Sequence, residues 1–483
     1  MKLSEPMLVS TGGWGGGVLN QYVAAVSGSM CYTIMGSATA WPSPVLIKMA
    51  DGETPMVLDV PQVSWMVSLM FLGHITSPLP TGYLMDIFGR KRTCLCLTIL
   101  PFTSWLLIFF ANSPVHLYIA RFTAGLWIGV TTTVMPIYVG EISGPRLRNS
   151  LTTINNLLLN FGVLFAYVIG PFVSYYTLAI ACEALTVLYF LAFFSMPESP
   201  YFYMKHKQRE KALEVLSWLR KGETEENIEA EIKRIEQAIE EQTLQKGTLK
   251  DIFFDRGNRK AFLISIIYAI LKRMSGSGVM QAYTSVTLPK VTFGVLDPNT
   301  CVIVIGTISL LSSLASTALA VRYRRMTLLT ISCIGCAIST AIIMIWFYLD
   351  ELTSTKVTAY SDIVFISFAL YYSVFNIGLG PVGTSIKGEI FSTNVKALSS
   401  SLTTLVVAFS GFIMNKFYLL IDQWLGMYFN YLIFSVACTV ALAFTWTYVP
   451  DTQNKTLEEI QELLRGGGKK YRNYDSTEPL SKT

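Results

Sequence analysis

Apolar residues in this chain come in long runs, neither alternating as in a half-buried strand nor confined to one stripe as in a surface helix. A helix needs about 20 apolar residues to cross the hydrocarbon of a bilayer. By that measure candidate spans fall near 20–41, 62–84, 94–111, 117–139, 152–173, 177–196, 261–286, 300–320, 327–348, 362–383, 398–420 and 427–449. They form two groups of six. Between the groups, "KHKQREKALEVLSWLRKGETEENIEAEIKRIEQAIEEQ" mixes acids and bases at helical spacing and belongs in water, as surface helices held by charge pairs three or four residues apart. The expected division is a six-helix bundle over 1–196, a helical linker over 197–260, a second bundle over 261–449 and a tail over 450–483.

Composition points the same way: 52% of residues are hydrophobic and only 14% charged, where soluble chains have about a quarter charged. The net charge of +5 then speaks to orientation rather than to nucleic acid, because Lys and Arg gather in cytoplasmic loops. Arg90, Lys91 and Arg92, then Arg146 and Arg148, the linker, Arg322, Arg324 and Arg325, and Lys469, Lys470 and Arg472 all fall on one side. The other side carries Lys48, Lys290 and Lys356 among Asp51, Glu53, Asp59, Asp297, Asp350 and Glu351, so both termini are expected in the cytoplasm. "MKLSEPMLVSTGGWGGGVLN" lacks the pattern of a cleaved signal peptide, and the first span is expected to remain as a helix. The cysteines lie mostly in apolar runs and His74, His116 and His206 are scattered, so no metal site, no cofactor and no enzyme chemistry is expected.

The two groups echo each other. "GEISGPRLRNS" after the fourth span is matched by "GEIFSTNVKALS" after the tenth, with Glu141 seven residues before Arg148 and Glu389 seven before Lys396; "MPESP" is matched by "VPDTQ". Parallel repeats of this kind meet, in transporters, around a site near the bilayer midplane. The charged groups at corresponding helix ends, Asp86, Arg90, Glu141, Arg148 and Glu198 in the first half and Arg322, Arg325, Glu389, Lys396 and Asp451 in the second, read as a cytoplasmic latch. Pairs formed when the halves close and broken when they rock apart bias which side is open.

In order along the chain, "GYLMDIFGRKR" (82–92), "RFTAGLWIGVTTTVMPIYVGEISGPRLR" (121–148), "PESP", "GLGP", "GEIFSTNVK" and "VPDTQNKTLEEIQ" resemble the sugar porter branch of the major facilitator superfamily over nearly the whole length. Within that branch the chain looks most like the insect facilitated trehalose transporters. The resemblance implies an all-α membrane protein of the major facilitator fold, with twelve transmembrane helices in two bundles, a cytoplasmic helical linker and alternating access to a central sugar site. It also implies where the site departs from the family. Asn156 stands where a glutamine commonly contacts sugar; "QQxSGxN" becomes "KRMSGSG", placing Lys272 and Arg273 for both glutamines and Gly278 for the asparagine; and Thr384 stands where a tryptophan would stack on the ring. Ser275 and Gly276 keep the pattern, Tyr283 follows the broken seventh helix as in relatives, and Gln281 is a further candidate contact. "AVRYRRM" carries Val321 in place of an aspartate, so the latch is expected to be weaker there.

Lys272 and Arg273 lie within an apolar span, where each charge costs about 2.5 to 3.5 kcal/mol unless water, a counter-charge or a cavity compensates. Adjacent residues sit about 100° apart on a helix, so at most one points straight at a central axis. Three readings stay open: the pair donates hydrogen bonds to sugar hydroxyls; it selects an anionic or other non-sugar solute; or it is structural, paired with an acid such as Glu183, in a chain that senses rather than transports. Ala38 stands where proton-linked relatives place an acid, which favours facilitated diffusion, with Glu183 as the remaining titratable group. The expectation is a plasma-membrane, multi-pass facilitative carrier of trehalose or a hexose, with a small solute and the bilayer as partners, no nucleic acid, and no oligomeric state readable from the sequence.

Overall fold

The computed structural model describes residues 16–145, 147–244, 248–288, 297–353, 357–381, 390–392, 395–450 and 457–465. Its elements are helices, and among the described residues there is no strand. The first half comprises α1 (Gly16–Ala40), α2 (Pro42–Ala50), α3 (Val60–Thr76), α4 (Pro78–Phe88), α5 (Arg90–Leu97), α6 (Ile99–Phe109), α7 (Pro114–Ile142), α8 (Arg148–Ile169) and α9 (Tyr175–Phe194). The linker supplies α10 (Pro200–Lys205), α11 (Arg209–Leu219), α12 (Glu225–Leu244) and α13 (Leu249–Phe254). The second half comprises α14 (Arg256–Met274), α15 (Ser277–Thr287), α16 (Pro298–Arg322), α17 (Arg325–Leu352), α18 (Asp362–Ile377), α19 (Lys396–Leu425) and α20 (Met427–Tyr448), followed by α21 (Leu457–Arg465). Nine helical stretches among the described residues are long and apolar enough to cross a membrane.

Each expected span falls on one helix or on two consecutive ones; the tenth, expected over 362–383, has α18 over Asp362–Ile377, and its last two residues lie outside the described residues. The second, expected unbroken over 62–84, divides at Ser77 because Pro78 cannot donate to the helical ladder. The first ends at Trp41 for the same reason, since Pro42 and Pro44 follow, and the chain resumes as α2. The seventh divides at Gly276, whose φ of +92° lies in the left-handed region; a β-carbon there would also strike the Phe434 ring.

Small residues set the closest helix approaches. Gly73 of α3 and Gly125 of α7 face one another so closely that a β-carbon on Gly125 would overlap the Met70 carbonyl, and Gly36 of α1 and Gly162 of α8 repeat the device. Gly125→Leu is therefore expected to force α3 and α7 apart. In detergent size-exclusion chromatography the variant should lose its monodisperse peak, whereas Gly82→Ala, with open space around its Cα, should keep it.

The linker is fastened to the first half. Asn20 and Gln21 donate to the carbonyls of Trp218 and Leu219, at 2.7 and 3.2 Å, and Gly17 donates to Lys221 at 2.9 Å. Arg220 forms a salt bridge to Glu231 at 2.8 Å and donates to the Ile142 carbonyl at 3.0 Å, a cation at the negative end of α7. Helix α21 belongs instead to the second half. Ile460 and Leu464 bury against Ile252, Phe391 and Val449, Gln461 donates to the Ile390 carbonyl at 2.7 Å, and Arg465 pairs with Asp255 at 2.9 Å. Slight burial would raise the Asp255 carboxyl, but the Asn258 N–H and Arg465 outweigh it and hold the group below the usual carboxylate range.

Candidate functional site

The two halves touch along α3 with α19, α8 with α16, and α2 with α15. On the face opposite the linker, the Ser43 and Ser285 hydroxyls contact each other and the Ser285 N–H donates to Ser43 Oγ at 3.1 Å. Ser64 donates to the Lys416 carbonyl, and the Lys416 ammonium sits 3.9 Å from the centroid of the Trp65 ring. Deeper in, Tyr167 donates to the Gln281 carbonyl at 2.7 Å, and Ser309 of α16 to Asn160 of α8 at 2.9 Å. This face is sealed.

On the linker face the contacts are of another kind. Arg90 and Glu141 pair at 2.7 Å, both largely buried, and Ser199 donates to the other Glu141 oxygen. Glu198 caps α5 from a distance: its carboxylate accepts from the N–H groups of Arg90, Lys91 and Arg92 at 2.9 to 3.3 Å. Asp86 pairs with Lys205 at 2.9 Å, both half exposed. The cluster therefore joins α4, α5 and α7 of the first half to α10 of the linker, and no ion pair between two described residues joins the halves on this face. Arg148, Arg322 and Lys396 are exposed, and Arg325 lies at the start of α17. Thr384, Glu389 and Asp451 lie outside the described residues.

Between the faces lies the broken seventh span. Ser275 Oγ donates to the Lys272 carbonyl at 2.7 Å and Tyr371 donates to the Ser275 carbonyl at 3.0 Å, so backbone oxygens loosened at the break stay satisfied. Lys272 donates to the Gly380 carbonyl at 2.7 Å, with its ammonium 6.0 Å from the Phe375 ring centroid. Arg273 turns the other way, across to the first half, where its guanidinium carbon lies 5.6 Å from the Phe71 ring centroid. Neither cation reaches Glu183, whose two buried carboxylate oxygens have no partner. Tyr283 is fully buried with an unpartnered hydroxyl, tilted against Tyr418 at 5.0 Å. Asn156 reaches Ser313 at 3.0 Å, joining α8 to α16, and Gln281 is half-buried in α15.

Three groups escaped the sequence reading of this site. A β-carbon on Gly278 would lie 3.1 Å from a terminal nitrogen of Arg273, 3.7 Å from the tip of Phe71 and 3.9 Å from Asn415 Nδ2, so Phe71 and Asn415 belong to the same corner. Asn415, a polar residue inside an apolar run, carried a signal; Phe71, one aromatic among many, carried none. The third is Arg121, fully buried, which donates to the Ala38 carbonyl at 2.6 Å and faces Trp41 at 5.8 Å. That carbonyl is available because its helical donor would be the nitrogen of Pro42, which has no hydrogen.

Two helical halves sealed on one face and meeting around a broken helix define a carrier of the major facilitator fold. Residues 10–464 match the family described as Sugar (and other) transporter, and the chain belongs to that family. It is similar to the facilitated trehalose transporter Tret1 of Drosophila willistoni, 28% identical over 96% of this chain and 53% of that protein. It is likewise similar to the facilitated trehalose transporter Tret1-2 homolog of Drosophila sechellia, 30% identical over 92% of this chain and 91% of that one. Against several of these relatives the chain spans about half their length. The fold resembles the inward open conformation of the xylose transporter XylE from E. coli, with TM-score 0.74, 19% identity, and 92% and 98% of the two chains covered.

Proposed function

We propose that the protein is a facilitative carrier of a sugar, working by rocking of the two halves about the broken seventh span, without covalent chemistry or cofactor. The observation that supports this most is the asymmetry of closure. Hydroxyl and aromatic contacts join the halves on one face, while on the linker face the described ion pairs leave the halves unjoined. The linker face is read as cytoplasmic from its basic loops, which makes the described state open to the cell interior. The charged cluster of Arg90, Glu141 and Glu198 is then a brace that keeps the first half rigid as it moves. Contacts between the halves on that face would form in the opposite state.

Uncoupled movement is supported by the surroundings of Arg121, which leans on a peptide carbonyl rather than a carboxylate. Purified protein in liposomes should take up labelled trehalose or glucose saturably, at rates unchanged by an imposed pH gradient and unchanged in Glu183→Gln. Uptake that rises with an inward proton gradient and loses that rise in Glu183→Gln would overturn facilitated movement. Absence of flux for every sugar tried would overturn the carrier reading.

A further inference from the structure

Helix α13 is too short to stay helical alone in water, and two attachments hold it. A capping box starts it, with Asp251 accepting from the Thr248 N–H at 2.6 Å. Ile252, fully buried, seats it in the second half beside Ile460 and Leu464 of α21. The other apolar side chains of α13 turn away from that core. Leu249 and Phe253, four residues apart, share a side and Phe254 adjoins it. They are 53%, 49% and 81% exposed, and no other large apolar residue among those described is as exposed as Phe254. Elsewhere in the described part of 197–260 only Trp218 is a large apolar residue left exposed, so these three form a cluster that needs a cover.

Two observations say what covers it. The Phe253 ring meets Phe262 edge on, with centroids 5.7 Å apart, and Phe262 belongs to the apolar run that opens the seventh span. The bare face therefore stands at the level where the chain enters hydrocarbon. Around it Lys250, Arg256, Arg259 and Lys260 are exposed, and none forms an ion pair with a described residue. The acids among them are engaged: Asp251 caps α13, and Asp255 takes the Asn258 N–H and Arg465. Cations beside bare apolar side chains match the boundary between lipid phosphates and acyl chains.

We infer that α13 is an interfacial anchor, with Leu249, Phe253 and Phe254 seated among the outermost acyl carbons of the inner leaflet and the four cations meeting lipid phosphates. The partner of this face is the bilayer surface. Because α13 is fastened to α14 and α21, the anchor holds the cytoplasmic end of the broken span at a fixed depth, while α10 to α12 travel with the first half. The choice of leaflet follows from the linker face being cytoplasmic; the anchoring depends neither on sidedness nor on the solute carried.

The test uses the full chain in liposomes, with a bimane label on Leu249→Cys or, for reference, on Glu236→Cys in the exposed face of α12. Both are made in Cys96→Ser, since the other native cysteines are buried. Phosphatidylcholine brominated along its acyl chains is expected to quench the Leu249→Cys label about twofold or more and to leave the Glu236→Cys label nearly unchanged, while aqueous iodide does the reverse. Iodide quenching of both labels alike, with none by brominated lipid, would overturn the anchor in favour of a face bathed in water. Quenching by neither would overturn it in favour of a protein cover, the first-half linker or a second copy. Adding Phe254→Ser should weaken quenching by brominated lipid, and Phe254→Leu should keep it; equal quenching with all three residues would overturn the role of the apolar face. The comparison of the two labels stands without the Phe254 variants. It needs no transported solute, so its failure and a failure of sugar uptake are separate results.

Discussion

Oxidising a Ser43→Cys, Ser285→Cys double variant should bring uptake to background, and reductant should restore it. The two hydroxyl oxygens touch across the sealed face, so their β-carbons lie within reach of a disulfide. A covalent bond there holds α2 of the first half to α15 of the second, and a carrier that cannot open one face cannot complete a cycle. Each single variant should transport like the parent, since one lost hydrogen bond is worth only about 1 kcal/mol. Among the described residues no disulfide joins the native cysteines, and all but Cys96 are buried, so the new pair is the one available to the oxidant. Full uptake after complete cross-linking, verified by mass, would show that this face need not open.

Glu141→Ala should be the most destabilising single change on the linker face. The Arg90 guanidinium is buried, two of its nitrogens have no partner, and the third relies on Glu141. Removing the carboxylate leaves a buried cation with nothing to balance it, a loss of about 3 to 5 kcal/mol for a broken buried pair. Lys205→Ala breaks a pair that is half exposed and should cost less than about 1 kcal/mol. Thermal unfolding in detergent separates the two by their melting temperatures. Similar small shifts for both would mean that water reaches Arg90.

The twelve spans could be read from the sequence because a bilayer imposes a length on every crossing, and length is something a linear chain of letters carries. The breaks at Trp41 and Ser77 were legible in principle, since Pro42 and Pro78 announce them. Charge partners were not. Arg90 and Glu141 read in the sequence as first-half members of a latch, and that they pair with each other could not be read there, because charge order along a chain holds no distances. The same gap hid the separation of Lys272 from Arg273. Their roughly 100° offset said that they diverge, but only the packing shows that one stays with Gly380 while the other crosses to Phe71.

The Ala38 carbonyl, freed by Pro42, has a consequence for the energy source of any cycle. A carboxylate beside Arg121 would be a titratable switch, strong when charged and silent when protonated. A peptide oxygen has a fixed partial charge and takes up no proton in the physiological range. Arg121 is thus held by a contact that acidity on either side of the membrane leaves untouched, and a proton gradient finds nothing at that point to push against.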